Sequence, residues 1–299
     1  MPEDAPDLPQ TPDRRHPRLS FDADVFAAFL GGRTIERCAP MPGGASNTNH
    51  RLTLSDGQTV VARQYTRGDP TTDANAIRLA KTAVPIPELL WHGDNAAVFA
   101  FVEGEHLRDE PDQLRDAGRT LAALTTVRFS LSGAIQPDGS AQPFAWGSPE
   151  DWLAGVLRDP QVERWLGRDR SDALRDLIQR HDLFAVDPNT GPCLVHGDYR
   201  PDNLLVRDGR VVAVLDWEFA HAGSWFMDLG NLLRHFDASA EAPLLEGLRD
   251  GGLAVPDDAV DHAKLIDLGS HLEFLTSARS DAFKATRVAL IDRTLERFV

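Results

Sequence analysis

The chain has 299 residues, 42% of them hydrophobic, a formal net charge of −15 and two cysteines. That length and apolar content support one large or two modest domains with a sizeable core. The acidic balance argues against a general nucleic-acid binder, which needs clustered Lys and Arg to neutralise phosphates, and Cys38 and Cys193 form neither a disulfide framework nor a metal-ligand spacing.

Residues 1–18 carry five prolines and few large apolar groups, so a disordered arm is expected. They lack a secretory h-region, and no uninterrupted run of about eighteen apolar residues follows. A soluble, cytoplasmic protein with no membrane partner is expected. Next comes a small, polar turn, Met41-Pro42-Gly43-Gly44-Ala45-Ser46-Asn47-Thr48-Asn49, of the kind that lets backbone N–H groups approach a phosphate. It matches neither GxGxxG nor GxxxxGK[ST]. Residues 51–55 and 59–63 flank Asp56-Gly57, a hairpin signature, and a helix is predicted from about Thr72-Asp73. Val84-Pro85-Ile86-Pro87-Glu88-Leu89-Leu90 reads as extended chain, because residues before proline avoid the helical region. Residues 96–102 form an apolar strand ended by Glu103-Gly104. Helix-compatible spacing of Leu114, Leu121 and Leu124 covers 111–127, and the polar, Gly/Pro-bearing stretch 133–149 reads as a long loop. Two shorter amphipathic patterns break at Pro160 within 151–180, and terminal helices are predicted over 257–277 and 279–298.

The densest signal lies between. Cys193-Leu194-Val195 is a short apolar run leading into His196-Gly197-Asp198-Tyr199-Arg200-Pro201-Asp202-Asn203. Apolar runs 204–206 and 211–215 then flank Arg207-Asp208-Gly209-Arg210, a second hairpin, which ends at Asp216-Trp217-Glu218. The hairpin carries Asn203 at its start and Asp216 at its end, so both can reach one site. An Asp, an Asn five residues on and an Asp beyond a hairpin is the constellation that kinases build around nucleotide phosphates and magnesium. Magnesium takes one or two carboxylates and leaves its other positions to substrate phosphates and water. The bland reading makes Asp198 and Asp202 loop-capping acids and Asp216 a strand terminator.

On HGDYRPDNLLV, VLDWE and Trp225-Phe226-Met227-Asp228-Leu229-Gly230, the chain resembles the aminoglycoside phosphotransferase and choline kinase superfamily, from about residue 20 onward and most strongly over 193–236. The resemblance implies an α+β, two-lobed protein-kinase-like fold: a small β-rich N-lobe over 19–104 ending at a hinge, and a larger, mainly helical C-lobe over 105–299. It implies a kinase that transfers the γ-phosphoryl group of ATP or GTP to the hydroxyl of a small molecule, with Mg2+. It places Asp198 as acceptor of the hydroxyl proton and Asn203 and Asp216 as metal ligands. Gly43, Gly44, Ser46 and Asn47 fall over the phosphates, Arg63 where many relatives carry a phosphate-pairing Lys, and the backbones of Ala100 and Val102 against adenine. Kinases hold that basic residue with a Glu of the following helix. Here the aligned acid is Asp73, giving either a compensated Arg63–Asp73 pair or an exposed strand-end Arg beside a helix-capping Asp.

Alternatives stay open at several neighbours. His196, with an unperturbed pKa near neutrality, is either a general base or, as the resemblance implies, a support of the catalytic loop. Asp228 either steadies that loop or caps the helix over 229–236. Glu218 touches a metal or substrate, or is a solvated acid. Asp267, His271 and Glu273 lie close together on a predicted helix that, by the resemblance, relatives use for substrate binding; they read as a charged exposed face. The acceptor is an aminoglycoside or an ordinary metabolite such as an amino alcohol, sugar or amino acid. A nucleotide-binding pseudokinase acting through a partner is the competing class. The overall acidity suits a cationic substrate and equally suits plain solubility.

Overall fold

The computed structural model describes residues 16–42, 46–66 and 70–298. Most of the expected arm, and the phosphate-turn positions Gly43 and Gly44, lie outside them.

The N-terminal lobe follows from period-two strands. A short helix α1 (Ala27–Leu30) precedes β1 (Ile35–Pro40), β2 (Thr48–Leu54) and β3 (Thr59–Gln64), and α2 (Pro70–Ala80) precedes β4 (Leu89–His92) and β5 (Ala96–Ala100). They form one antiparallel sheet in the order β1-β2-β3-β5-β4. Alternation sends Leu52, Leu54, Val60, Ala62 and Val98 to one face, where they bury against Phe26. Each fully buried aliphatic side chain there contributes about 2 kcal/mol. The same alternation leaves Asn49, Val61 and Arg63 on the opposite face, toward the second lobe. Thus the register that builds the core also aims the basic residue. The stretch read only as extended chain over 84–90 runs into an additional strand, β4.

The larger lobe is mainly helical. It comprises β6 (Glu105–His106), α3 (Pro111–Leu124), β7 (Ala134–Ile135), β8 (Ala141–Gln142), α4 (Pro149–Val156), α5 (Pro160–Arg180), β9 (Cys193–Val195), β10 (Leu204–Arg207), β11 (Arg210–Val214), β12 (His221–Gly223), α6 (Phe226–Leu233), α7 (Glu241–Asp250), α8 (Ala259–Thr276) and α9 (Asp281–Phe298). The break at Pro160 is a new helix start, with Asp159 accepting from Gln161 N–H and proline in the first turn. The expected long loop 133–149 folds back as the small hairpin β7–β8, and α3 stops at Leu124, short of the expected 127. The helix carrying Asp228 starts at Phe226, so Asp228 lies in its first turn, and Trp225 occupies the cap without a side-chain bond.

Two packings hold the β10–β11 hairpin and its supporting helix in place. Helices α3 and α7 cross at glycine: a Cβ on Gly118 would lie 2.3 Å from the Leu244 carbonyl oxygen, and one on Gly247 only 1.9 Å from that of Arg115. Asp116, buried on α3, accepts from the Val211 N–H at 2.8 Å and from Arg210 at 2.9 Å, tying the β10–β11 hairpin to the helix. The hairpin turn is made by Asp208 at φ 52° and Gly209 at φ 72°, the left-handed pair that tight hairpins require.

Candidate functional site

The loop after β9 is held from beneath. The Asp228 carboxylate accepts the backbone N–H groups of His196 at 2.7 Å and Gly197 at 2.9 Å. It therefore serves the loop and not the cap of its own helix, and burial pushes its pKa up to about 6 against those bonds. Gly197 takes φ 80°, and a Cβ there would meet the Phe219 carbonyl oxygen at 2.5 Å, so only glycine fits. His196 is fully buried. Its Nδ1 accepts from the Asp198 N–H at 3.2 Å, and Nε2 lies 2.8 Å from the Leu215 carbonyl oxygen. One neutral tautomer, protonated on Nε2, satisfies both contacts, and burial keeps the ring neutral by lowering its pKa. With both nitrogens engaged in backbone bonds, His196 has the geometry of a support and not of a base.

Asp198 stands above it. Asn203 Nδ2 donates to the Asp198 carbonyl at 2.8 Å and to its carboxylate at 3.0 Å, which leaves the Asn203 amide oxygen directed elsewhere. Burial raises the Asp198 pKa to about 6, partly offset by Arg200 and Arg234. Leu215 N–H donates to the Asn203 carbonyl at 2.8 Å, so the two ends of the hairpin adjoin and Asp216 comes beside Asn203. Asp216 holds φ 67°, a left-handed backbone that costs a non-glycine residue about 1–2 kcal/mol. The bend at this residue re-aims the chain as it leaves the strand.

Arg63 reaches the same point from the other lobe. It donates to Asp216 at 2.8 Å, to Asp73 at 3.3 Å and, through Nε, to Asn49 at 3.2 Å. Burial opposes its charge, but Asp216, Tyr65, Asp73 and Glu218 outweigh it and raise the pKa. Arg63 and Asp73 are 8% and 1% exposed, so the exposed strand-end alternative does not describe them. Burial raises the Asp73 carboxyl to about 6 despite Arg63, and Tyr65 donates to it at 2.5 Å. Asn47 Nδ2 donates to Glu218 at 3.1 Å, a second link between the lobes. Its Oδ1 accepts the Thr66 N–H, and Ser46 beside it is buried. Glu218 is partly buried, and desolvation with neighbouring Asp216 raises its pKa to about 7.

Between the lobes lies a mainly apolar cavity of about 110 Å³, with Ile77, Phe99 and Trp217 among its walls and Arg63, Asp73 and Asp216 its charged groups. Ala100 and Val102 line it too. The Ala100 N–H is taken by the Glu88 carbonyl at 2.9 Å, leaving only its carbonyl for a bound ring.

Two expectations for α8 fail. Asp267 and His271, read as an exposed face, are 3% and 4% exposed; Asp267 pairs with Arg234 at 2.9 Å and with His271 at 3.2 Å, and only Glu273 points outward. Sequence reading also missed Tyr65 and Asn49. Asn49 was accessible in principle, since a tight Asp56-Gly57 hairpin sets it opposite Arg63.

A metal at Asn203 and Asp216 suits the donors present: one amide oxygen and one carboxylate, hard ligands of the number magnesium takes from protein. No cluster of three or more His, Cys, Asp or Glu able to hold a metal occurs among the described residues.

A five-stranded lobe over a helical lobe, with Asp–Asn–Asp on the loop and hairpin facing a basic residue on the third strand, defines the kinase-like class. The chain belongs to the phosphotransferase enzyme family, whose sequence pattern matches residues 37–265. Hygromycin-B 4-O-kinase of Escherichia coli is 27% identical over 173 residues, 51% of this chain and 48% of that protein. Acyl-CoA dehydrogenase family member 10 of Mus musculus is 26% identical over 231 residues, 69% of this chain but 21% of that protein. The chain thus spans about half of the first relative's length and about a fifth of the second's. A solved structure of a thermostable mutant of aminoglycoside phosphotransferase APH(4)-Ia, in ternary complex with AMP-PNP and hygromycin B, matches with a TM-score of 0.64 at 20% identity, covering 91% of this chain and 97% of that one. At that identity the likeness shows the fold.

Proposed function

We propose that the protein is a magnesium-dependent small-molecule kinase that moves the γ-phosphoryl group of ATP, or of GTP, to a substrate hydroxyl. The observation that carries this reading is the convergence of Asp198, Asn203, Asp216 and Arg63, from two lobes, beside one apolar cavity. The nucleotide base lies in that cavity against the Ala100 carbonyl and the Val102 backbone. Its phosphates run past Ser46 and Asn47 toward Arg63, whose charge is secured by Asp73. Asn203 and Asp216 hold magnesium, which when bound supplies neutralisation of charge on the transferring group. Asp198 orients the acceptor hydroxyl and takes its proton, Asn203 fixes the Asp198 carboxylate, and Asp228 with His196 holds the loop. Phosphoryl transfer passes through a loose transition state, so positioning and electrostatics supply most of the rate. The names of the relatives include an antibiotic kinase, and an aminoglycoside is one acceptor class this reading admits; an ordinary hydroxyl metabolite is the other.

The deciding experiment incubates the protein with magnesium, ATP or GTP, and a mixed panel of hydroxyl metabolites and aminoglycosides, reading products by mass shift. A phosphorylated product formed by the wild type and lost in Asp198→Asn, with nucleotide binding kept, is the expected result. Undiminished product in that variant would refute the assignment.

A further inference from the structure

The acceptor side of Asp198 carries a charge opposite to that of the molecule as a whole. Although the chain has a net charge of −15, Arg200 and Arg234 lie within electrostatic reach of the Asp198 carboxyl, and Arg287 lies within reach of both of them and of Arg279. Arg200 lies 3.9 Å from the Asp198 carboxylate and pairs with Asp202 at 2.6 Å. Arg234, on α6, is buried against Asp267 at 2.9 Å. Arg279 and Arg287 come from the start and body of the last helical region, and they stack on an aromatic pair. Phe274 and Phe283 stand edge to face at 5.3 Å. Arg287 lies 4.6 Å from the Phe283 centroid and 5.8 Å from that of Phe274. Arg234 shares the Phe274 ring at 5.8 Å, and Arg279 shares the Phe283 ring at 5.0 Å.

Two of these charges have carboxylate partners close by. Arg287 forms no ion pair or hydrogen bond among the described residues, its Nε is buried without a hydrogen-bond acceptor, and the carboxylate within its electrostatic reach, Asp267, is already paired with Arg234. Burial first, then Arg234, Arg279 and Arg200, hold the Arg287 pKa below its ordinary value against the opposing pull of Asp267. Aromatic stacking offsets part of the repulsion of like charges, but it leaves the Arg287 donor fork unused. Such forks match carboxylate and phosphate oxygens through paired charge-assisted bonds.

We infer that Arg287, with Arg234 and Arg279, forms an anion-recognising subsite for the acceptor, so that the substrate is a hydroxyl compound carrying a carboxylate or a phosphate. The inference rests on the kinase reading above and narrows it: a polycationic aminoglycoside would face this cluster with like charge. In the reaction, the acceptor oxygen bonds to the γ-phosphorus, the bond from that phosphorus to the bridging oxygen breaks, and ADP leaves with the electron pair. The hydroxyl proton passes to Asp198 while the arginines hold the distant anion.

The test runs phosphoryl transfer on the full chain with ATP and magnesium, setting hydroxycarboxylates and sugar phosphates against neutral sugars, amino alcohols and hygromycin B. Nucleotide binding is measured by calorimetry on the same preparation. Products confined to the anionic arms are expected, and the arm that reacts tells carboxylate from phosphate. Arg287→Gln should raise KM for that acceptor about tenfold or more, as loss of a charged hydrogen bond does, with kcat changed far less. Arg287→Lys, which keeps the charge and loses the fork, should fall between, and circular dichroism checks that both variants fold. Preference for neutral or cationic acceptors, or an unchanged KM in Arg287→Gln, overturns the subsite and leaves the kinase reading standing. Should no arm react, the same anions are titrated by calorimetry with AMP-PNP present, and binding to none of them overturns it equally. Failure to bind nucleotide at all sinks the kinase reading and this inference together.

Discussion

At Asp198 the same burial that positions the carboxylate also sets its working range. Only the ionised form can take a hydroxyl proton, and burial places its pKa at about 6 instead of the ordinary carboxylate value. The active form is therefore gained as pH rises through about 6 and lost below it. The logarithm of kcat/KM should fall with a slope near one per pH unit on the acid side of that value. An acid limb near 4 would show that another group governs the profile. Asp216 adds a second single-residue prediction. Its left-handed backbone is tolerated by Asn as well as Asp, so Asp216→Asn should keep the fold while removing the charge that faces Arg63. Retention of full magnesium-dependent turnover in that variant would remove Asp216 from the site.

Between elements, the link of β3 to α2 and to the end of β11 runs through one guanidinium, since Arg63 meets both Asp73 and Asp216. Breaking a buried pair leaves an uncompensated charge and costs several kcal/mol, about 3–5 in the general case. Asp73 limits that loss here, because its carboxyl already titrates at about 6 and can take up a proton. A double-mutant cycle of Arg63→Gln and Asp73→Asn should show a coupling of about 1 kcal/mol or more in nucleotide affinity; strict additivity would dissolve the pair as a functional unit. The α3–α7 crossing makes an independent prediction. Gly247→Ala would drive a methyl group into the Arg115 carbonyl, and overpacking of this kind costs about 1–3 kcal/mol. Denaturant unfolding should record that loss, while the nucleotide KM stays near the wild-type value, because the crossing lies behind the hairpin and away from the cavity.

Across the whole molecule, the lobes meet through long-range contacts at the cleft, Arg63 to Asp216 and Asn47 to Glu218 among them. A ligand that touches both lobes stabilises the folded state by about 2.7 kcal/mol at one hundred times its Kd. Magnesium and ATP together should therefore raise Tm by a few degrees, and ATP with EDTA by less. Asp216→Asn should abolish the difference between the two conditions. Equal shifts with and without metal in the wild type would argue against a metal bridging the hairpin to the phosphates.

How much of this was legible depended on distance along the chain. His196 to Asn203, the Asp208-Gly209 hairpin and Asp216 form one contiguous run in which turn chemistry and strand period dictate what comes together, so the meeting of Asn203 with Asp216 at the hairpin's two ends could be read directly. Strand alternation likewise aimed Arg63 away from the lobe's core. Contacts without a periodic signature were settled only by packing. Asn47 meets Glu218 across 171 residues, and Asp228 gives its carboxylate to backbone groups about thirty residues upstream of it. Asp267 is an acid on a helix whose pattern suggested exposure, yet α6 and α9 close over it and supply Arg234. The arginine cluster draws on four segments, each unremarkable alone. The sequence by itself determined the loop and its hairpin, because these rest on local geometry, while the two-lobed plan came from the family resemblance that this run of residues carries. Tertiary structure alone decided which charges face one another at the acceptor side, because burial and pairing belong to the surfaces that meet and not to any one stretch of chain.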